Sequence, residues 1–150
     1  MKRSQRLQSI VELHALQEKE ALQVMGRCQQ QLQEQQTQLE HLKVYRQEYL
    51  AKLADRQQQG MNVSQLLEFR AFADKLDKAI EGQQKAVQLQ EKAFHQAQSK
   101  WEESHQRTKS LEKLSEMALA EEVKLENKRE QNDQDARAAR SSRKDGANSA

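Results

Sequence analysis

Proline is absent from this chain, and glycine occurs four times in 150 residues. A fold with many changes of direction draws on both, so few turns are expected. Aromatic residues make up 4% and hydrophobic residues 35%, with a mean hydropathy of -1.10. A compact globule of this length carries more apolar residues than that. Cysteine occurs once, as Cys28, which excludes an internal disulfide and favours a reducing compartment. Long apolar runs are missing too: Glu12, His14 and several glutamines interrupt the segment after Met1-Lys2-Arg3. The expectation is a soluble cytoplasmic chain with no signal peptide or transmembrane helix. Charge of one sign is also lacking, since the net charge is only +2. That balance, with a periodic apolar pattern, argues against a disordered chain despite the low hydropathy.

Catalytic groups are equally scarce. No Gly-rich phosphate loop, nucleophile motif or set of His, Cys, Asp and Glu at metal-ligand spacing occurs. His95 and His105 lie too far apart to share one helical turn, and His14 and His41 are isolated. Each reads as a surface or seam residue before it reads as a ligand. Cys28 reads as a small packed hydrophobe. Two slender helices also offer no concave pocket of the kind catalysis uses. The expectation is a non-enzyme with no catalytic residue, cofactor or metal.

What the chain has is helix formers: Gln, Glu, Lys, Leu, Ala and Arg dominate. They are interrupted once, at Gln57-Gln58-Gln59-Gly60-Met61-Asn62-Val63-Ser64. Gly60 reaches positive φ cheaply, which suits a helix C-terminus. Asn62 suits the N-cap of a following helix, with Gln65 completing a capping box and Ser64 as a rival cap.

Both arms around this turn carry a heptad stripe. In the first, Leu7, Val11, His14, Glu18, Ala21, Met25, Cys28, Leu32, Gln35, Leu39, Leu42, Arg46, Tyr49 and Leu53 alternate at spacings of four and three. His14, Glu18, Gln35 and Arg46 are polar intrusions and candidates to fix register. In the second, Leu66, Phe69, Ala73, Leu76, Ile80, Gln83, Val87, Gln90, Phe94, Ala97 and Trp101 follow the same rule. Ser104, Thr108, Leu111, Ser115, Ala118, Glu122 and Leu125 continue it with smaller, more polar residues. Folding about Gly60 sets Leu53 near Phe69, Leu42 near Ile80, Cys28 near Phe94, Ala21 near Trp101 and Val11 near Leu111. Neither arm has a core of its own, so each buries its stripe only against the other or against another chain. The predicted fold is all-α, a long antiparallel two-helix coiled-coil hairpin over 1–140. Its helices are expected at about 4–57 and 64–138, with a disordered tail at 141–150.

Two surfaces stand out. Beside the seam runs a line of Phe72, Leu76, Ala79, Gln83, Ala86 and Ala93. A two-stranded coil does not fully bury flanking residues, so Phe72 is expected to be partly exposed, with Leu67 nearby. This is either a wide seam near the turn or a docking patch, for which exposed aromatics are natural anchors. Charge collects at the other end: Lys2, Arg3 and Arg6, then Arg129, Arg137, Arg140, Arg143 and Lys144 among Glu130, Asp133 and Asp135. This reads as a solvated helix surface or as a polar contact with a protein. Acids mixed through the basic residues disfavour nucleic acid, and the polar faces are not selectively cationic, which disfavours a membrane surface.

Several of these pieces resemble the FliJ family, small stalk proteins of the bacterial flagellar type III export apparatus. They are Tyr45-Arg46-Gln47-Glu48-Tyr49 before the turn, Phe69, and Phe72-Ala73-Asp74-Lys75-Leu76-Asp77-Lys78-Ala79-Ile80 after it. Trp101 and the Arg-containing C-terminal segment also fit. The resemblance implies an antiparallel coiled coil similar to the central shaft of rotary ATPases. Such a protein enters the pore of the hexameric export ATPase, promotes ring assembly, contacts the membrane export gate and escorts export chaperones. The gate contact transfers to Phe72, Leu76 and Ala79, with Gln83 next on that stripe. The ATPase contact transfers to the terminal segments, where Arg3, Arg6, Arg129, Arg137 and Arg140 are the candidates. The implied place is the cytoplasmic face of the inner membrane, held by protein contacts. The stalk of a virulence secretion system and a homo-oligomeric coiled-coil scaffold are the alternatives.

Overall fold

The computed structural model describes residues 2–148. Two helices account for nearly all of them, α1 (Arg3–Gln59) and α2 (Val63–Asn148), with no strand among the described residues. They pack as the antiparallel all-α hairpin that the twin stripes require.

The turn is tighter than expected and spans only 60–62. Gly60 takes φ 95°, and its N–H donates to the Gln57 carbonyl at 3.3 Å, closing α1. Asn62 caps α2: its side-chain oxygen accepts the Gln65 N–H at 2.8 Å, and its carbonyl accepts the Leu66 N–H at 3.2 Å. Asn62, not Ser64, is therefore the cap.

The heptad reading holds along both helices. All fourteen stripe positions of α1 are buried or half-buried, and so is every stripe position of α2 except Leu125. Leu125 is 58% exposed. Its opposite number is missing for a simple reason: α1 begins at Arg3, and Ser4 already meets Glu122.

The chain divides into two compact units. Unit 2 (Lys19–Glu103) contains the turn. Near the turn, Tyr49 stacks on Phe69 at 5.2 Å and on Phe72 at 4.7 Å between ring centres, and the Arg56 guanidinium lies 5.5 Å above Phe69. Leu76, Val87 and Ala97 are buried farther along. The intruding polar residues pair across the seam. Gln83 Nε2 donates to the Gln35 carbonyl at 3.0 Å and to Gln35 Oε1 at 2.7 Å. Arg46 Nε donates to Asp77 Oδ1 at 2.5 Å. These pairs agree to within a helical turn with the register inferred from the stripes.

Unit 1 comprises Met1–Glu18 and Ser104–Ala150. Its buried apolar residues are Val11 and Ala118, joined by buried Ser4, Thr108 and Ser115. Here the tail expectation fails. The disordered segment expected over 141–150 is instead helix as far as Asn148, ten residues past the anticipated end near 138; Ser149 and Ala150 lie outside the described residues. Alanine and arginine at 136–140 propagate a helix well, and no proline stops it. Every residue of 123–147 is exposed, so propensity rather than packing carries this part.

Candidate interaction surfaces

The first surface lies in unit 2, about two and a half helical turns into α2. Phe72 sits beside the seam and is 37% exposed, as its flanking position requires. Its ring does more than flank: it packs on Tyr49 and meets the Tyr45 ring edge-on at 6.3 Å. Edge-on and offset ring pairs contribute about 0.5–1.5 kcal/mol beyond area burial. Removal from water pushes the Tyr49 hydroxyl pKa above its ordinary value, and the neighbouring Tyr45 adds to the effect.

The four residues expected to contact an export gate are not equally reachable. Phe72 and Ala79 are exposed. Leu76 is 7% exposed and belongs to the core of the hairpin. Gln83 is half-buried, with its amide committed to Gln35. Yet Gln83 also lines a surface hollow of 390 Å³ with Gln38, His41, Leu42 and Tyr45. The patch is therefore built from both helices. The sequence reading placed it on α2 alone and missed the α1 contribution of Tyr45. The available signal was the Tyr-x-x-x-Tyr spacing, which puts Tyr45 one turn from Tyr49 on the same face.

A family model described as flagellar FliJ protein matches residues 2–147. The chain belongs to the FliJ family. No curated protein and no solved structure matches it. Membership in FliJ makes it a flagellar export-related stalk protein. Among the described residues, no helix is long and apolar enough to cross a membrane.

The second surface lies in unit 1, where the FliJ candidates Arg3, Arg6, Arg129, Arg137 and Arg140 are all exposed. The hairpin brings the N-terminus of α1 beside α2. Ser4 is the hinge of that contact: its N–H donates to Glu122 Oε1 at 3.1 Å and its hydroxyl to Oε2 at 2.6 Å. A carboxylate of α2 thus caps the first turn of α1, where unsatisfied N–H groups favour negative charge. Those two hydrogen bonds hold the Glu122 carboxyl below its ordinary value, hydroxyl first, and nearby Lys2 adds to them. The sequence reading gave Ser4 no role.

The five arginines do not form one cluster. Arg129 shares a shallow cleft with Lys2, Glu122, Leu125, Glu126, Glu130 and Asp133. Arg137 and Arg140 lie farther along α2, with Ser141, Arg143 and Lys144. Deeper in the same unit, His105 Nδ1 lies 2.5 Å from Glu18 Oε1. An ionised carboxylate only accepts, so Nδ1 carries the proton. That hydrogen bond is the main cause lowering the Glu18 pKa.

Proposed function

We propose that this FliJ-family chain acts without catalysis as the stalk of the flagellar type III export apparatus. It enters the hexameric export ATPase, promotes assembly of its ring, links the ring to the membrane export gate and escorts export chaperones. The work is done at the cytoplasmic face of the inner membrane. The observation that carries this reading is the family match over nearly the whole chain, 2–147. Unit 1 supplies the ATPase contact: exposed arginines from both ends of the chain stand on adjacent helices, and exposed charges of this kind steer and orient a partner. Unit 2 supplies the gate contact: the Phe72 ring, braced by Tyr45 and Tyr49, is a rigid aromatic anchor beside exposed Ala79.

The deciding experiment is capture of the export ATPase by this chain, followed by measurement of ATP hydrolysis. Stimulation is expected. An Arg3→Glu, Arg6→Glu, Arg129→Glu variant should lose it while keeping its helicity. Hydrolysis unchanged by the wild-type chain would remove the ring-assembly role. For the gate, Phe72→Ala should weaken capture of the gate's cytoplasmic domain at least tenfold. It should also cost about 1 kcal/mol of hairpin stability, because the ring is half packed and half exposed.

A further inference from the structure

We propose that the end of α2 beyond Glu122 is a self-association surface, on which two copies of this chain pair antiparallel. The partner is a second copy because the charge pattern complements itself. Over 121–135 there are six acids and three bases; over 136–148 there are four bases and one acid. A segment negative in its first half and positive in its second meets its own complement under a twofold axis, which is the symmetry of most homodimers. Parallel pairing sets like charge against like. Antiparallel pairing sets the acidic half of each copy against the basic half of the other.

The placement on the helix agrees. Glu126, Glu130 and Asp133, followed by Arg137, Arg140 and Lys144, recur at spacings of three and four and so line one side. Their charges are not spent internally: the ion pairs among the described residues are Arg46–Asp77 and Glu18–His105, neither of them in this segment. All of 123–147 is exposed. A polar helical segment of this length with no packed face is marginal in water, and a second copy supplies the missing neighbour. Arg137 and Arg140 are also ATPase-contact candidates, so pairing and ring engagement compete for them. The proposal does not depend on that contact, and its test contains no ATPase.

Sedimentation equilibrium of the full chain tests it. Near 0.01 M salt, where the Debye length is about 30 Å, the mass should be that of a dimer; near 1 M, where it is about 3 Å, that of a monomer. The triple variants Arg137→Glu/Arg140→Glu/Lys144→Glu and Glu126→Lys/Glu130→Lys/Asp133→Lys should each be monomeric at low salt. Their equimolar mixture should dimerise again. Wild-type monomers at low salt, variants that dimerise alone, or a mixture that stays monomeric would each overturn the proposal. A spin label at Gln134→Cys in a Cys28→Ser background gives a readout free of charge reversal. An intermolecular dipolar signal at low salt that vanishes at high salt supports the pairing, and its absence at low salt overturns it.

Discussion

Units 1 and 2 hold the same two helices together by different means. In unit 2 the seam is aromatic near the turn, with Tyr49 and Phe69, and largely apolar beyond it, with Leu76, Val87, Phe94, Ala97 and Trp101 around the Gln35–Gln83 pair. In unit 1 much of the seam is polar: Ser4 with Glu122, Glu18 with His105, and buried Thr108 and Ser115. Large apolar residues face outward in both units, among them Leu13, Leu16, Met117 and Leu119 in unit 1 and Leu22, Val63, Leu67 and Leu89 in unit 2. Burying a Leu, Val or Phe side chain contributes about 1.5–3 kcal/mol, whereas an internal hydrogen bond nets about 0.5–1.5 kcal/mol. Unit 2 is therefore the stable part of the hairpin. Unit 1 is held by fewer kilocalories and by pairs that work only in one register. That suits the division of labour proposed above: a firm platform beneath the aromatic anchor, and a looser end that adapts to a ring. Hydrogen exchange resolved by residue should find the amides of 5–17 and 106–120 opening more readily than those of 40–52 and 70–90. Equal protection would erase the distinction.

The largest break in that comparison is a charge placed in the stronger seam. Leu76→Asp should destabilise the hairpin by about 3–5 kcal/mol, because the carboxylate is buried with no partner. The matching change in unit 1, Ala118→Asp, should cost less, since that seam already holds polar groups and ends within two turns. Urea denaturation followed by circular dichroism measures both. Phe69→Ala comes next, at about 2–3 kcal/mol: it removes the ring that stacks on Tyr49 and lies beneath Arg56. A loss under about 0.5 kcal/mol would show that the aromatic cluster does not anchor unit 2.

Much of this was legible in the residues. A two-helix hairpin has one interface and one period, so the spacing of Leu7, Val11 and their successors named the seam, and Gly60 with Asn62 named the bend. Cross-helix chemistry was harder to read. That Ser4 caps its own helix with Glu122, 118 residues away, depends on a register accurate to one residue, and stripe matching is accurate only to a turn. Tyr45 escaped for a related reason: it lies off the stripe, and only the rotation of α1 against α2 brings it to Phe72. The polar intrusions were recognised as candidate register markers, and Gln35, Arg46 and Glu18 each have a cross-seam partner. The helix over 141–148 was not legible: Ser141, Ser142, Asp145, Gly146 and Asn148 favour helix poorly, and no apolar stripe marks the segment, which continues the Ala- and Arg-rich helix of 136–140.

A smaller effect probes the weaker unit through pH. The Glu18 carboxyl is held below its ordinary value of 4.5 chiefly by the His105 N–H. A depressed carboxyl pKa contributes stability that is fully present above the unfolded value and lost as pH falls through the folded one. Glu18→Gln should therefore destabilise unit 1 at neutral pH by at most about 1 kcal/mol, solvent screening keeping the loss small. Its protection factors should converge with those of the wild type on acidification below 4.5. A gap that persists or widens in acid would mean that the carboxylate charge is not what holds this pair.

The smallest effect runs the other way and concerns glycine. Gly26 and Gly82 both lie within helices of unit 2, and a Cβ added at either meets nothing within 4 Å. Each costs the helix about 0.5–1 kcal/mol relative to alanine, chiefly through backbone entropy. Gly26→Ala and Gly82→Ala should each stabilise by that amount and raise the melting temperature by a few degrees, as calorimetry can record. Gly60→Ala is the control: its φ of 95° is strained for any side chain, so that change should destabilise by about 1 kcal/mol. In unit 1 the described residues include only Gly146, in the exposed stretch past the seam. The unit with apolar packing to spare is thus the one that carries two helix-weakening glycines, while the polar-seamed unit carries none where its helices meet. A stabilising response at Gly26 and Gly82 would tie that distribution to the difference in packing strength; no response would leave the two units distinguished by their seams alone.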